Sequence, residues 1–112
     1  MSIYQPAFAL TDALIDEAAR RGFALRGPNF FGGDGRFSVT LHADGAVASR
    51  LDGMGFRLRW HYESSGTVCA VHGRKFEDVT GRRWQVDVIR TVGPLSMYGH
   101  LLDDDEDEEA AA

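Results

Sequence analysis

Four histidines and a single cysteine are the residues of this chain best suited to metal or nucleophilic chemistry. His42, His61, His72 and His100 stand beside Cys69 as the neutral ligand candidates, and none has the close paired spacing of a zinc site. Cys69 and His72 lie three apart in a segment that reads as a strand, so they point to opposite faces and cannot pair as nucleophile and base. Cys69 is expected as a small core residue. The segment GPNFFGGDG, Gly27 to Gly35, has two glycines at P-loop spacing, Gly27 and Gly32. Gly33-Asp34 follows where lysine and a hydroxyl belong, and the acid would repel phosphate. Gly53-Met54-Gly55 fails as a dinucleotide fingerprint, because Leu58 takes the place of the third glycine. The run Asp103 to Glu108 resembles a calcium loop in charge alone, since Glu108 replaces the glycine that such a loop needs. Glu77 and Asp87, flanking Arg82 and Arg83, read as surface ion pairs. A non-enzymatic protein without cofactor or metal is expected.

Binding chemistry is better served. Arg57, Arg59 and His61 alternate with Phe56, Leu58, Trp60 and Tyr62, which is the period of a strand with one basic and one apolar face. A following strand places Val68, Ala70 and His72 on the basic face, with Arg74 and Lys75 just beyond. That face is either plain solvated sheet or a surface for an acidic partner or nucleic acid. Phe30 and Phe31 in the glycine-rich segment are a second candidate contact, since two adjacent aromatics in a loop cannot both be buried easily. Asp103, Asp104, Asp105, Glu106 and Asp107 form a third, suited to a basic partner surface.

Charge separates the chain into two parts. The formal net charge is −5, and residues 103–109 hold seven of the seventeen acids. Ten acids then face twelve Lys and Arg over residues 1–102, a body near +2 joined to a tail of −7. All the basic residues except Lys75 are Arg, which grips carboxylate and phosphate bidentately; coding composition would yield the same bias. Residues 1–102 are expected as one domain, and residues 103–112 as a disordered acidic tail. With one cysteine there is no internal disulfide. The N-terminus lacks a basic start and a long apolar run, and no uncharged stretch approaches the ~18–20 residues of a membrane span. A cytoplasmic protein without membrane contact is expected.

The elements that must position these residues follow from period and punctuation. Residues 11–21, TDALIDEAARR, predict a helix capped by Thr11 and stopped by Gly22, with Leu10, Leu14 and Ala18 as its apolar stripe. Gly27 to Gly35 predicts an irregular loop. Phe37, Val39 and Leu41 predict a strand that turns at Ala43-Asp44-Gly45, with Val47, Ser49 and Leu51 on the return. A break at 52–55 precedes the strand 56–62, and Glu63 to Gly66 predict a hairpin turn placing Trp60 near Cys69, Leu58 near Val71 and Arg57 near His72. A turn at Asp78-Val79-Thr80-Gly81 leads to a strand with Trp84, Val86 and Val88 inward. Pro94 ends regular pairing, and residues 95–102 close over an edge or end of the sheet. Together these describe an α+β fold, one N-terminal helix packed on a curved antiparallel meander of five or six strands, with a half-open barrel as the alternative. Parallel pairing is disfavoured for want of a crossover helix. Trp60 and Trp84 are both expected on the buried face, against Leu14 and Ala18.

In size, charge and simplicity the chain is similar to small phage-encoded inhibitors, anti-CRISPR proteins among them. That resemblance implies a protein-binding module that blocks a bacterial nucleic-acid-handling complex, its tail occupying a basic surface that normally holds DNA or RNA. The alternative is a nucleic-acid-binding domain that uses the Arg-rich face, with the tail as an intramolecular competitor.

Overall fold

The computed structural model describes residues 4–33, 36–44 and 48–102. The expected acidic tail at 103–112, the left-handed turn at Gly45 and Val47 of the expected return strand lie outside these residues.

The N-terminal helix α1 spans Tyr4–Arg20, starting well before Thr11. Pro6 falls in its first turn, where a missing N–H costs no hydrogen bond. Thr11 is therefore not a cap. It is buried mid-helix, and its hydroxyl donates to the Phe8 carbonyl at 3.0 Å, which satisfies the side chain without solvent. Ala7, Thr11, Leu14 and Ala18 are all buried, a stripe at helical spacing that starts one turn earlier than the expected one. At the C-terminus Gly22 takes φ +89°, its N–H donating to Ala19 and that of Phe23 to Ala18. This pair of bonds is a Schellman stop, and it delivers Phe23 into the core.

The strands are β1 (Leu25–Gly33), β2 (Arg36–Ala43), β3 (Arg57–Ser64), β4 (Thr67–Glu77) and β5 (Arg83–Pro94). They form one open sheet in the order β1-β2-β5-β4-β3. The class is α+β as expected, but the sheet is mixed rather than an antiparallel meander, because β2 and β5 pair in parallel. The crossover does not need a long helix. It is built from a short helix α2 (Ala48–Gly53) and the whole β3–β4 hairpin.

Two expected elements change identity. Residues 48–53 are α2 and not a return strand. Leu51 and Met54 are buried three residues apart, which only a helix can place on one side. Gly55 at φ +85° and the bonds Gly55 N–H to Asp52 and Phe56 N–H to Leu51 repeat the stop seen at Gly22-Phe23. The glycine-rich segment is largely strand β1, with a register shift between Arg26 and Asn29 that takes up Gly27 and Pro28. An edge strand tolerates this, since the proline's missing donor costs no ladder bond on the unpaired side.

The core lies between α1, α2 and one face of the sheet. It is built on Val39, Leu41, Trp84, Val86 and Val88 from the central strands, with Leu14, Ala18, Leu51 and Phe56 against them. The other sheet face carries neither α1 nor α2. Among the described residues, no helix is long and apolar enough to cross a membrane.

Candidate functional site: a basic strip across the open sheet face

The site originates in one inserted residue. In the β3–β4 pairing Leu58 is opposite His72 and Trp60 opposite Val71, so Arg59 is a bulge with no partner of its own. Side chains opposite one another share a face. The partners of β4 and β5 put His72, Arg74 and Phe76 with Val88, Val86 and Trp84 on the core side, and Gly73 and Lys75 with Asp87 and Gln85 on the open side. Before the bulge, Leu58 lies on the core side and Arg57 on the open side. Past it, parity reverses: Trp60 and Tyr62 turn to the open side and His61 to the core side.

This corrects the expected face in several places. The hairpin register also differs, Trp60 meeting Val71 and not Cys69, because Ser65 at φ 51° and Gly66 at φ 78° make a two-residue turn between Ser64 and Thr67. Trp60 is half-buried on the open face and does not join Trp84 in the core. Cys69 is half-buried beside Tyr62 and not a core residue; burial and the neighbouring thiol push the Tyr62 hydroxyl pKa up. Cys69 and His72 do stand on opposite faces. His72, expected outward with the arginines, is buried, and its Nε2 accepts from Arg90 Nε at 2.8 Å. Arg90 always carries that N–H, so the imidazole accepts at Nε2 and is neutral, its proton on Nδ1. Burial, the Arg90 charge and His61 hold its pKa down at about 4, against a smaller upward pull from Asp52. Phe30 and Phe31 separate as neighbours on a strand must. Phe30 turns inward, edge-on to Phe8 at 4.7 Å and to Trp84 at 6.0 Å, while Phe31 is 57% exposed.

Arg57, Arg59 and Phe31 are thus the expected contact residues that the open face brings together. Asp103 to Asp107 lie outside the described residues. Sequence reasoning missed Arg83, and it placed Lys75 only at the margin. Both belong to the site because the end of β4 and the start of β5 lie beside the start of β3.

Arg59 crosses the sheet over Gly73 to reach Asp87 Oδ1 at 3.3 Å, its guanidinium 4.7 Å from the Trp60 ring centre. A Cβ on residue 73 would collide with Arg59 Cδ and sit 2.7 Å from Asp87 Oδ1, so the crossing depends on glycine. Gln85 Nε2 donates to the same Asp87 oxygen at 3.0 Å. Either side of this bridge lie two shallow grooves. One of about 580 Å³ is lined by Phe31, Phe37, Ser38, Arg59, Lys75, Arg83, Trp84 and Gln85. The other, of about 350 Å³, is lined by Gly55, Arg57, Arg59, Gly73, Arg74, Lys75 and Gln85. They share Arg59, Lys75 and Gln85, and neither wall contains an acidic residue. Asp87 is held by Arg59 and Gln85, and Glu77 stands outside both grooves, across from Arg83. Among the described residues, Arg57, Lys75 and Arg83 have no ion-pair partner.

The strip runs from Phe31 on β1 to Arg57 on β3, across all five strands at one end of the sheet. At ~4.8 Å between strands it is about 19 Å long. Its side chains carry positive charge and no acid lines its grooves. Among the described residues, no three His, Cys, Asp or Glu side chains gather as a metal site would require. Neither a protein-family model, a curated protein nor a solved structure matches this chain, so the geometry of the strip is what bears on its role.

Proposed function

We propose that the chain is a binding module whose open sheet face takes an anionic polymer along Arg57, Arg59, Lys75 and Arg83. The observation that carries this is the pair of joined grooves, which hold four basic side chains of the open face and no acid in their walls. A solvated sheet face intersperses both signs of charge; here Asp87 at the face's centre is neutralised by Arg59, and Glu77 stands at the margin, opposite Arg83. Such a surface attracts polyanions over a Debye length and releases counterions when they dock. Titration of the protein with heparin oligosaccharides and with DNA at several salt concentrations tests the reading. Binding that weakens with salt and is lost in the Arg57→Ala, Arg83→Ala double variant supports it, and absence of binding to every polyanion at low salt rejects it.

The run of seven acids at residues 103–109 favours a second reading, a phage-type inhibitor of the anti-CRISPR kind that contacts a nucleic-acid-handling complex. In that case a protein partner's basic groove receives the tail, and a chain ending at Leu102 loses partner affinity. On the first reading the same truncation leaves polyanion binding intact or strengthens it.

A further inference from the structure

Resting on the anion-binding reading of the strip, we infer that its ligand is single-stranded nucleic acid, phosphates lying along Lys75, Arg83 and Arg57 and a base stacked on Phe31. The cations alone do not distinguish one polyanion from another. The distinction comes from what stands at the β1 end of the same groove. Phe31 projects from an edge strand with 57% of its surface exposed, in the wall that also holds Arg59, Lys75 and Arg83. It is not needed to fill the core, where its neighbour Phe30 already packs on Phe8 and Trp84.

An exposed ring at the end of a positive groove is the arrangement by which single strands are held, since every base has a face to stack and the backbone follows the charge. A duplex keeps its base faces covered, and a sulfated sugar or acidic peptide has no such face to offer. Polar groups suited to a base edge stand beside the ring: the Ser38 hydroxyl, opposite Phe31 in the ladder, and the Gln85 amide, opposite Ser38. Across the sheet, β1 and β4 are three strand spacings apart, about 14 Å, which leaves room for a few nucleotides between the ring and Lys75. The Arg59 guanidinium, already stacked on Trp60, offers a second flat surface midway along the path.

The experiment compares three ligands on the full chain: a labelled oligo(dT) single strand, a DNA hairpin duplex of similar charge, and a heparin oligosaccharide, each followed by fluorescence anisotropy. The single strand is expected to bind at least tenfold more tightly than the duplex. Phe31→Ala should weaken single-strand binding about tenfold, within the range found for removal of one stacking ring, and leave heparin binding unchanged. Phe31→Tyr, which keeps the ring, should restore the single-strand affinity. Lys75→Ala should weaken both ligands and lower the salt dependence of single-strand binding by about 0.7 in log–log slope. Equal affinity for duplex and single strand, or an unaltered single-strand affinity in Phe31→Ala, overturns the inference while heparin binding through Arg83 keeps the anion-binding reading. Failure of all three ligands overturns both.

Discussion

Asp78 Oδ2 accepts a hydrogen bond from the Trp84 indole at 2.9 Å, while its Oδ1 takes the backbone N–H groups of Thr80 and Arg82 at 2.8 and 3.1 Å. One carboxylate thus closes the turn before β5 and satisfies the polar atom of the largest buried side chain. Burial pushes its pKa up, but the bonds from Thr80, Trp84 and Arg82 outweigh that and pull it down to about 2.

Asp78→Ala is therefore expected to destabilise the fold by about 1–3 kcal/mol, the cost of leaving buried donors without an acceptor. The folded pKa is below the unfolded one, so the stabilisation is complete above about pH 3.8 and is lost as pH falls towards 2. Urea midpoints at pH 7 and pH 2.5 check both parts, since the variant should lie well below the parent at the first and closer to it at the second.

His72 carries a linkage of the same sign at higher pH. Its folded pKa of about 4 is below the ordinary 6.5, and here the neutral form is the stabilised one. The unfolded chain takes up its proton first, so stability falls as pH drops from about 6.5 towards 4. The loss is bounded at about 3–4 kcal/mol by the 1.36 kcal/mol of one pKa unit. His72→Gln keeps an acceptor for Arg90 and should flatten this part of the profile in thermal melts between pH 7.5 and 4.5.

Gly73→Ala places a methyl where Arg59 crosses the strand. Overpacking of this kind costs about 1–3 kcal/mol. In a chain that already carries Arg59→Ala the same substitution should cost at least ~0.5 kcal/mol less, because the two positions are in contact. Denaturant unfolding of the four proteins of this cycle measures the coupling, and additive effects would show that Arg59 does not depend on the glycine.

The two tryptophans should behave differently, contrary to their shared period in the sequence. Trp84→Ala is expected to cost about 3–5 kcal/mol and Trp60→Ala clearly less, since Trp84 is fully buried and Trp60 lies half-buried on the open face. Acrylamide quenching of the Trp60→Phe and Trp84→Phe variants distinguishes them: the indole left in the first should be shielded and that in the second accessible.

Much of this arrangement was legible in the chain itself, and the misreadings have local causes. The Gly22 stop and the inward Trp84, Val86 and Val88 appear as expected, because turn chemistry and period two act locally, whereas the hairpin turn falls one residue later than expected. Helix α2 was hidden because Val47, Ser49 and Leu51 also fit a strand; the signal that could have found it is Gly55-Phe56, which repeats Gly22-Phe23. The bulge at Arg59 left no mark on the alternation of 56–62, since an inserted residue changes which face each side chain takes without changing the residue types. It moved His61 and Trp60 to opposite sides from those expected. Parallel pairing of β2 with β5 and the nearness of Arg83 to Arg59 depend on contacts between distant segments, which period alone does not encode.

The interruptions in β1 and β3 have a consequence beyond aiming side chains. These are the two outer strands, and each would otherwise present a straight row of backbone donors and acceptors to any neighbouring sheet. In β1 the row is broken at Gly27-Pro28, where an N–H is missing, and in β3 it is bent at Arg59 among charged side chains. Both margins are thereby poor templates for fibre growth. Deleting Arg59 to straighten β3 would leave Trp60 opposite Val71 on the open side, but it would lengthen the uninterrupted margin and give a second copy of the chain somewhere to add.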